Sequence, residues 1–250
     1  MKNIRAVLLL VFAGIMLALL PVRASTNTPA TLLRIVLVGD STVNVDAGWG
    51  PGFVRFLTGP VECINAGANG RSSKSYRDEG RWEKALALKG NYYLFQFGHN
   101  DEPGKGPARE TDPNTTYYTN MLRYVEETRA IGAKPVLITS MTRRKFDKNG
   151  KIKDSLGPYV EAVRRLAKAE HVPLVDLNAS SITLCEKIGP EKSWSYNHTG
   201  KDGKPSDQTH LNAQGSVVFA QLVVEGLRKA VPELSPYLRT EPADAKPEVK

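Results

Sequence analysis

Leu33-Arg34-Ile35-Val36-Leu37-Val38-Gly39-Asp40-Ser41-Thr42 is the stretch from which the fold is read. Its apolar run shows little in–out alternation, which suits a strand covered on both faces in a parallel sheet. Four further runs of this kind occupy residues 61–65, 92–97, 135–139 and 173–176. Helical patterns lie between and after them, at 78–88, 114–131, 155–170 and 213–231. Asp154 and Ser155 stand where they can cap the third helix, and Gly132 suits the left-handed position that ends the second. Alternating β and α elements predict right-handed crossovers and an α/β fold, a doubly wound three-layer α/β/α sandwich on a five-stranded parallel sheet.

In such sheets ligands bind outside the C-terminal ends of the strands. Gly39-Asp40-Ser41 follows the first strand, the 67–71 segment the second, and Gly98-His99-Asn100-Asp101 the third. All three polar, glycine-containing segments are therefore expected on one edge. Packing alone offers no reason for that clustering. Near the other end stands Asp207-Gln208-Thr209-His210. Serine is a poor nucleophile at neutral pH unless a base takes its proton, and a histidine can do so when a third group holds the correct tautomer. Asp207 and His210 are three residues apart, so on a helical turn they share a face and can touch. The fold must then bring Ser41 to them.

Four blocks line up in order: Gly39-Asp40-Ser41-Thr42, Asn65-Ala66-Gly67-Ala68-Asn69-Gly70-Arg71-Ser72, Gly98-His99-Asn100-Asp101 and Asp207-Gln208-Thr209-His210. The chain resembles the SGNH (GDSL-like) hydrolase superfamily, and within it the rhamnogalacturonan acetylesterases. The resemblance implies a flavodoxin-like sheet and a serine esterase that deacetylates a plant cell-wall polysaccharide through an acyl-enzyme. It implies Ser41 as nucleophile, aided by the N-terminus of a following helix, His210 as general base and then acid, and Asp207 as the group that orients His210. It also implies an oxyanion hole made by the Ser41 N–H, the Gly70 N–H and the Asn100 side chain, with no metal and no organic cofactor. Gly70 is preferred to Gly67 because it directly precedes Arg71-Ser72. Other readings stay open. Ser41 could cap a helix, Ser72 is a rival nucleophile, and Asn100-Asp101 could be a turn. His198, Asp202, Asp207 and His210 could be mixed N/O metal ligands. The substrate could be acetylated xylan, an oligosaccharide or a lipid-like ester, or the protein could bind carbohydrate without catalysis.

Five further residues are substrate-binding candidates. Trp49 follows the nucleophile closely and could frame the pocket. Arg143 and Arg144 follow the fourth strand on the same edge, where a guanidinium could pair with a uronate carboxylate. Trp194 and His198 lie in the 192–205 stretch with Tyr196, Gly200 and Gly203, which is read as a loop able to wall a sugar site. His99 is read as structural, and His171 as ending a helix, where a partly positive ring suits the dipole.

Residues 1–24 have the pattern of a secretion signal: basic Lys2 and Arg5, an apolar run over 6–20, and small residues before Ser25. The expected organisation is a signal peptide over 1–24, one catalytic domain over 25–239 and a charged, proline-containing tail over 240–250. Secretion or periplasmic location is expected, with no stable membrane anchor after cleavage. The formal net charge is +8, and Lys2, Arg5 and Arg23 account for three of these charges. The remaining basic excess fits an acidic polysaccharide or oligosaccharide partner or a solvated surface. No basic run is interleaved with aromatics, so no nucleic-acid partner is expected, and a monomer is expected. The two cysteines, Cys63 and Cys185, lie in no metal-type pair, and export permits a disulfide without requiring one.

Overall fold

A computed structural model of the chain describes residues 32–200, 203–204 and 207–244. The signal expected over 1–24 and the end of the expected tail lie outside the described residues. The elements run β1 (Leu33–Gly39), α1 (Gly50–Val54), β2 (Val61–Asn65), α2 (Ser75–Asp78), α3 (Arg81–Leu86), β3 (Tyr92–Gln96), α4 (Thr116–Ala130), β4 (Lys134–Ile138), α5 (Gly157–Ala169), β5 (Leu174–Val175), α6 (Leu177–Trp194) and α7 (Ala213–Ala230). A 3₁₀ segment, Pro232–Tyr237, follows α7 and packs against it. All five strands are parallel, in the order β2-β1-β3-β4-β5. This is the expected flavodoxin-like sheet.

Each central strand feeds two cores because its side chains alternate across the sheet. Ile35 and Leu37 of β1, Leu94 of β3 and Val136 and Ile138 of β4 pack on Phe53, Phe219, Val223 and Leu227 beside α1 and α7. Val36, Val38, Phe95 and Leu137 face the other way, onto Trp82, Tyr124, Val163 and Leu166 of α3, α4 and α5. Both faces are therefore apolar, which explains why the strands read as continuous hydrophobic runs.

The helices depart from expectation where small or breaking residues occur. The 78–88 helix is two pieces, divided at Gly80, whose φ of +67° is left-handed. Helix α5 starts at Gly157, and neither expected cap bonds it. Asp154 accepts from the Leu156 N–H instead, and the Ser155 hydroxyl accepts from Arg143. The second helix does end as read, at Ile131, with Gly132 at φ +75°. Helix α6 was not expected. Its inward face is carried by Leu177, Ser181 and Cys185, four residues apart, and only one of these is strongly apolar. The Asp176 side chain caps it by accepting from Ala179 N–H, and Gly189-Pro190 breaks it before Trp194. Helix α1 begins Gly-Pro-Gly, which reads as a turn. A Cβ at Gly52 would stand 2.3 Å from the Ser216 carbonyl oxygen of α7. Only glycine allows this approach, which the Gly52 N–H to Ser216 Oγ bond of 2.9 Å fastens. Cys63 and Cys185 are both free thiols. Among the described residues no helix is long and apolar enough to cross a membrane.

Candidate active site

Parallel strands put the segments after β1, β2, β3 and β4 on one edge. Ser41 lies in a turn in which the Val43 and Asn44 N–H groups donate to the Asp40 carbonyl at 3.1 and 3.3 Å. Asp40 Oδ1 accepts from the Thr42 N–H at 2.8 Å and the Thr42 hydroxyl at 2.7 Å. The expected helix N-terminus does not follow: α1 starts only at Gly50. The alternative reading of Ser41 as a helix cap fails for the same reason.

The Ser41 hydroxyl instead meets His210 Nε2 at 2.8 Å, across 169 residues of sequence. His210 Nδ1 meets Asp207 Oδ2 at 2.7 Å. Asp207 and His210 touch as their spacing suggested, though not on a helix. Asp207 Oδ1 accepts from the Thr209 and His210 N–H groups at 2.6 and 2.7 Å, which closes a tight turn ahead of α7. Partial burial acts to raise the Asp207 pKa. The bonds from the His210 ring and from these two backbone N–H groups outweigh it and hold the carboxyl well below the usual range.

Gly70 and Asn100, expected as oxyanion donors, line the same cleft as Ser41. Gly70 has φ +72°, a left-handed conformation that favours glycine. One Asn100 Nδ2 hydrogen donates to the Arg71 carbonyl at 3.2 Å. The loops carrying Gly70 and Asn100 are tied together by Asp101, which is fully buried. Its carboxylate accepts from Ser73 N–H at 3.1 Å, Ser73 Oγ at 2.5 Å and Thr111 Oγ1 at 2.9 Å. Burial pushes its pKa up to about 7 against the pull of those donors. The turn reading of Asn100-Asp101 also holds, since Asp101 N–H donates to Gly98 O at 3.0 Å. Ser72 is enclosed and faces Ser75, so it offers no exposed nucleophile. His99 is buried with Nδ1 3.6 Å from Asp40 Oδ2, beside the Ser41 turn.

These groups open on a cleft of about 380 Å³. Ser41, Gly70, Asn100, Asp207 and His210 line it with His198, one of the substrate-binding candidates. Asp46, Ala47 and Asn69 also line it, and the sequence reading missed all three. Asn69 was within reach, since it sits inside the second block; Asp46 and Ala47 carry no motif signal. A larger cavity of about 690 Å³ lies at the opposite edge, around Leu33, Asn91, Tyr92 and Lys134. It is lined by neither serine nor histidine, so the smaller cleft is the candidate site.

None of the other substrate-binding candidates lines this cleft. Trp49 is fully buried: its Nε1–H donates to Gln96 Oε1 at 2.8 Å, and Gln96 Nε2 donates in turn to Thr42 Oγ1. It supports the Ser41 turn from below and does not line the cleft. Arg144 is also fully buried, donating through Nη2 to the His210 carbonyl at 2.6 Å and through Nε to Asn197 Oδ1. It clasps the turn that carries the imidazole and cannot reach a substrate carboxylate. Arg143 is committed to Glu102, at 3.1 and 2.5 Å, and to Ser155. Trp194 is the end of α6 rather than part of a loop. Its indole N–H donates to the Arg144 carbonyl at 2.8 Å, its ring meets Phe146, and it does not line the cleft. Tyr196 is buried in the α7-side core. For the metal reading, Asp202 lies outside the described residues, and Asp207 and His210 bond each other. No group of three metal-ligating side chains occurs among the described residues.

Comparison with known proteins adds to this geometry. The model of the GDSL-like lipase/acylhydrolase family matches residues 37–218. A rhamnogalacturonan acetylesterase of Bacillus subtilis is 36% identical over 214 residues, covering 79% of this chain and 90% of the relative. One from Emericella nidulans is 29% identical, covering 80% of this chain and 86% of the relative. Among solved structures, the Bacillus subtilis protein YxiM superposes with a TM-score of 0.69 at 27% identity; the match covers 80% of this chain and 57% of that longer one. An acetylxylan esterase of Geobacillus stearothermophilus shares the fold, with a TM-score of 0.59 at 15% identity, covering 78% of this chain and 94% of that one.

Proposed function

This chain belongs to the GDSL-like lipase/acylhydrolase family, and from that premise we propose that it is an exported serine esterase that removes acetyl groups from rhamnogalacturonan. The observation that carries this reading is the unbroken relay from Ser41 Oγ through His210 to Asp207, at 2.8 and 2.7 Å, opening on a cleft lined mostly by polar residues. His210 Nε2 takes the hydroxyl proton as Ser41 Oγ attacks the acetyl carbon. The tetrahedral oxyanion is met by the Ser41 and Gly70 N–H groups and the Asn100 amide. As the intermediate collapses, His210 returns the proton to the departing sugar oxygen, leaving acetyl on Ser41. Water then attacks with His210 again as base, and acetate leaves. Each step is served by a side chain or a backbone amide of this chain.

Cleft composition favours a sugar ester over a lipid. Ala47 is the only apolar side chain among the lining residues, whereas a long acyl chain needs an apolar channel. The identity to rhamnogalacturonan acetylesterases of two organisms supports the pectic substrate. The basic, apolar and small-residue pattern of residues 1–24 supports export. Acetate release from acetylated rhamnogalacturonan, acetylated xylan and an acylglycerol, measured side by side, tests the reading. The highest kcat/KM is expected on rhamnogalacturonan. Preference for xylan would move the protein to another saccharide ester, and no acetate from any saccharide would overturn the function.

Asn100→Ala tests the oxyanion assignment. Loss of one such donor costs about 10²–10³ in kcat, roughly 2.7–4 kcal/mol. KM should move little, because the donor is aimed at charge present only in the transition state. A raised KM with unchanged kcat would make Asn100 a ground-state contact instead.

A further inference from the structure

The cleft presents two carboxylates, Asp46 and Asp207, and neither arginine nor lysine lines it. A substrate with uronate carboxylates would need a cation close by to offset them. Four arginines belong to the loops of this edge, and three are committed. Arg71 pairs with Glu79 at 2.9 Å, Arg143 pairs with Glu102, and Arg144 is buried on the His210 carbonyl.

Arg109 differs. Its Nε donates to the Lys105 carbonyl at 2.8 Å, and among the described residues its guanidinium has no carboxylate partner. Its Nη1 lies 3.9 Å from the point a Cβ on Gly70 would occupy, so it stands directly against the glycine of the candidate oxyanion hole. The side chain is half-buried, and its backbone is held in a turn by Arg109 N–H and Glu110 N–H donating to Gly106 O, both at 2.9 Å. Gly106 N–H donates to Glu110 Oε1 at 2.6 Å, which engages the nearest acidic side chain of that turn. Lys74 Nζ donates to Pro107 O at 2.8 Å and pins the turn to the Gly70 side of the cleft.

We propose that Arg109 is a carboxylate-binding subsite that receives a uronate group of the substrate beside the reacting acetyl ester; this rests on the esterase reading above. With Nε engaged, the Nη1 and Nη2 edge remains, and it matches the two oxygens of a carboxylate in bidentate fashion. The Nε bond and the pinned turn fix the plane of the fork before substrate arrives, which lowers the ordering cost of binding. Lys105, half-buried on the same turn, adds positive potential.

The test uses one acetylated galacturonate-containing oligosaccharide in two forms, with free carboxylates and with the carboxylates methyl-esterified. In the wild type the acid form should have a KM about tenfold lower than the ester form, the scale of one charge-assisted hydrogen-bonded pair. In Arg109→Gln that ratio should fall to near one. Arg109→Lys should lie between, because an ammonium keeps the charge and loses the fork. Circular dichroism checks that each variant folds; if the Gln variant does not, the Lys variant decides. A ratio near one already in the wild type, or a ratio unchanged in the variants, overturns the subsite. Acetate release by the wild type with either of those results leaves the esterase reading standing. A wild type inactive on both forms ends both.

Discussion

Ser41→Ala should lower kcat for acetate release by roughly 10⁶, the scale of loss when the nucleophile of a serine triad is removed. The reason is local. Ser41 Oγ is the hydroxyl that reaches His210 Nε2, and the rival in the second block, Ser72, is enclosed against Ser75. The fold should survive. The turn that holds residue 41 is made by Asp40 and Thr42, and neither bond involves the Ser41 side chain. Initial rates on an acetylated oligosaccharide, with Tm beside them, check both halves. Turnover within tenfold of wild type would remove Ser41 from the mechanism. A serine-directed reagent should label the wild type at Ser41 and leave the variant unlabelled.

Asp207→Asn should cost about 10⁴ in kcat, as seen when the orienting carboxylate of such a triad becomes an amide that favours the wrong imidazole tautomer. The substitution is chosen because Asn Oδ1 can still accept from the Thr209 and His210 N–H groups, so the turn itself should persist. What changes is the contact at Oδ2, where an acceptor for His210 Nδ1–H becomes a donor. There is a pH consequence. The native carboxyl is held below its ordinary pKa of about 3.9. A depressed carboxylate pKa gives stability that is present above the unfolded value and lost as pH falls through the folded one. The Tm advantage of wild type over Asp207→Asn should therefore be full at neutral pH and shrink below about pH 4. A gap that stays constant down to pH 2 would show that the carboxylate's charge does not matter to the turn.

The central strands were legible because β1 and β4 carry branched apolar residues and β3 aromatic and apolar ones, and two-sided burial needs nothing subtler. The candidate triad was legible because Asp207 and His210 are close in sequence and Ser41 ends a strand. The errors share one cause: a residue type does not say which way its side chain is used. Trp49 and Arg144 follow strands on the correct edge, yet both point inward, where an indole N–H and a guanidinium brace the turns that present Ser41 and His210. Arg109 went unremarked because it lies in a strap without a motif, and only the folded chain sets it against Gly70. Helix α6 was hidden because serine and cysteine occupy positions where leucine would have announced an apolar face.

The sheet takes its last strand at β5, Leu174–Val175, before the imidazole has appeared in the chain. The strands and the Asp207–His210 pair are thus written in separate stretches, the strands upstream and the pair in the turn before α7. Such a division makes the reactive turn an exchangeable module. Substitutions at Asp207 and His210 should therefore leave the register of every strand unchanged. The clasp of Arg144 on the His210 carbonyl, together with the close approach of Gly52 and Ser216 between α1 and α7, marks the joint across which a grafted turn would have to fit.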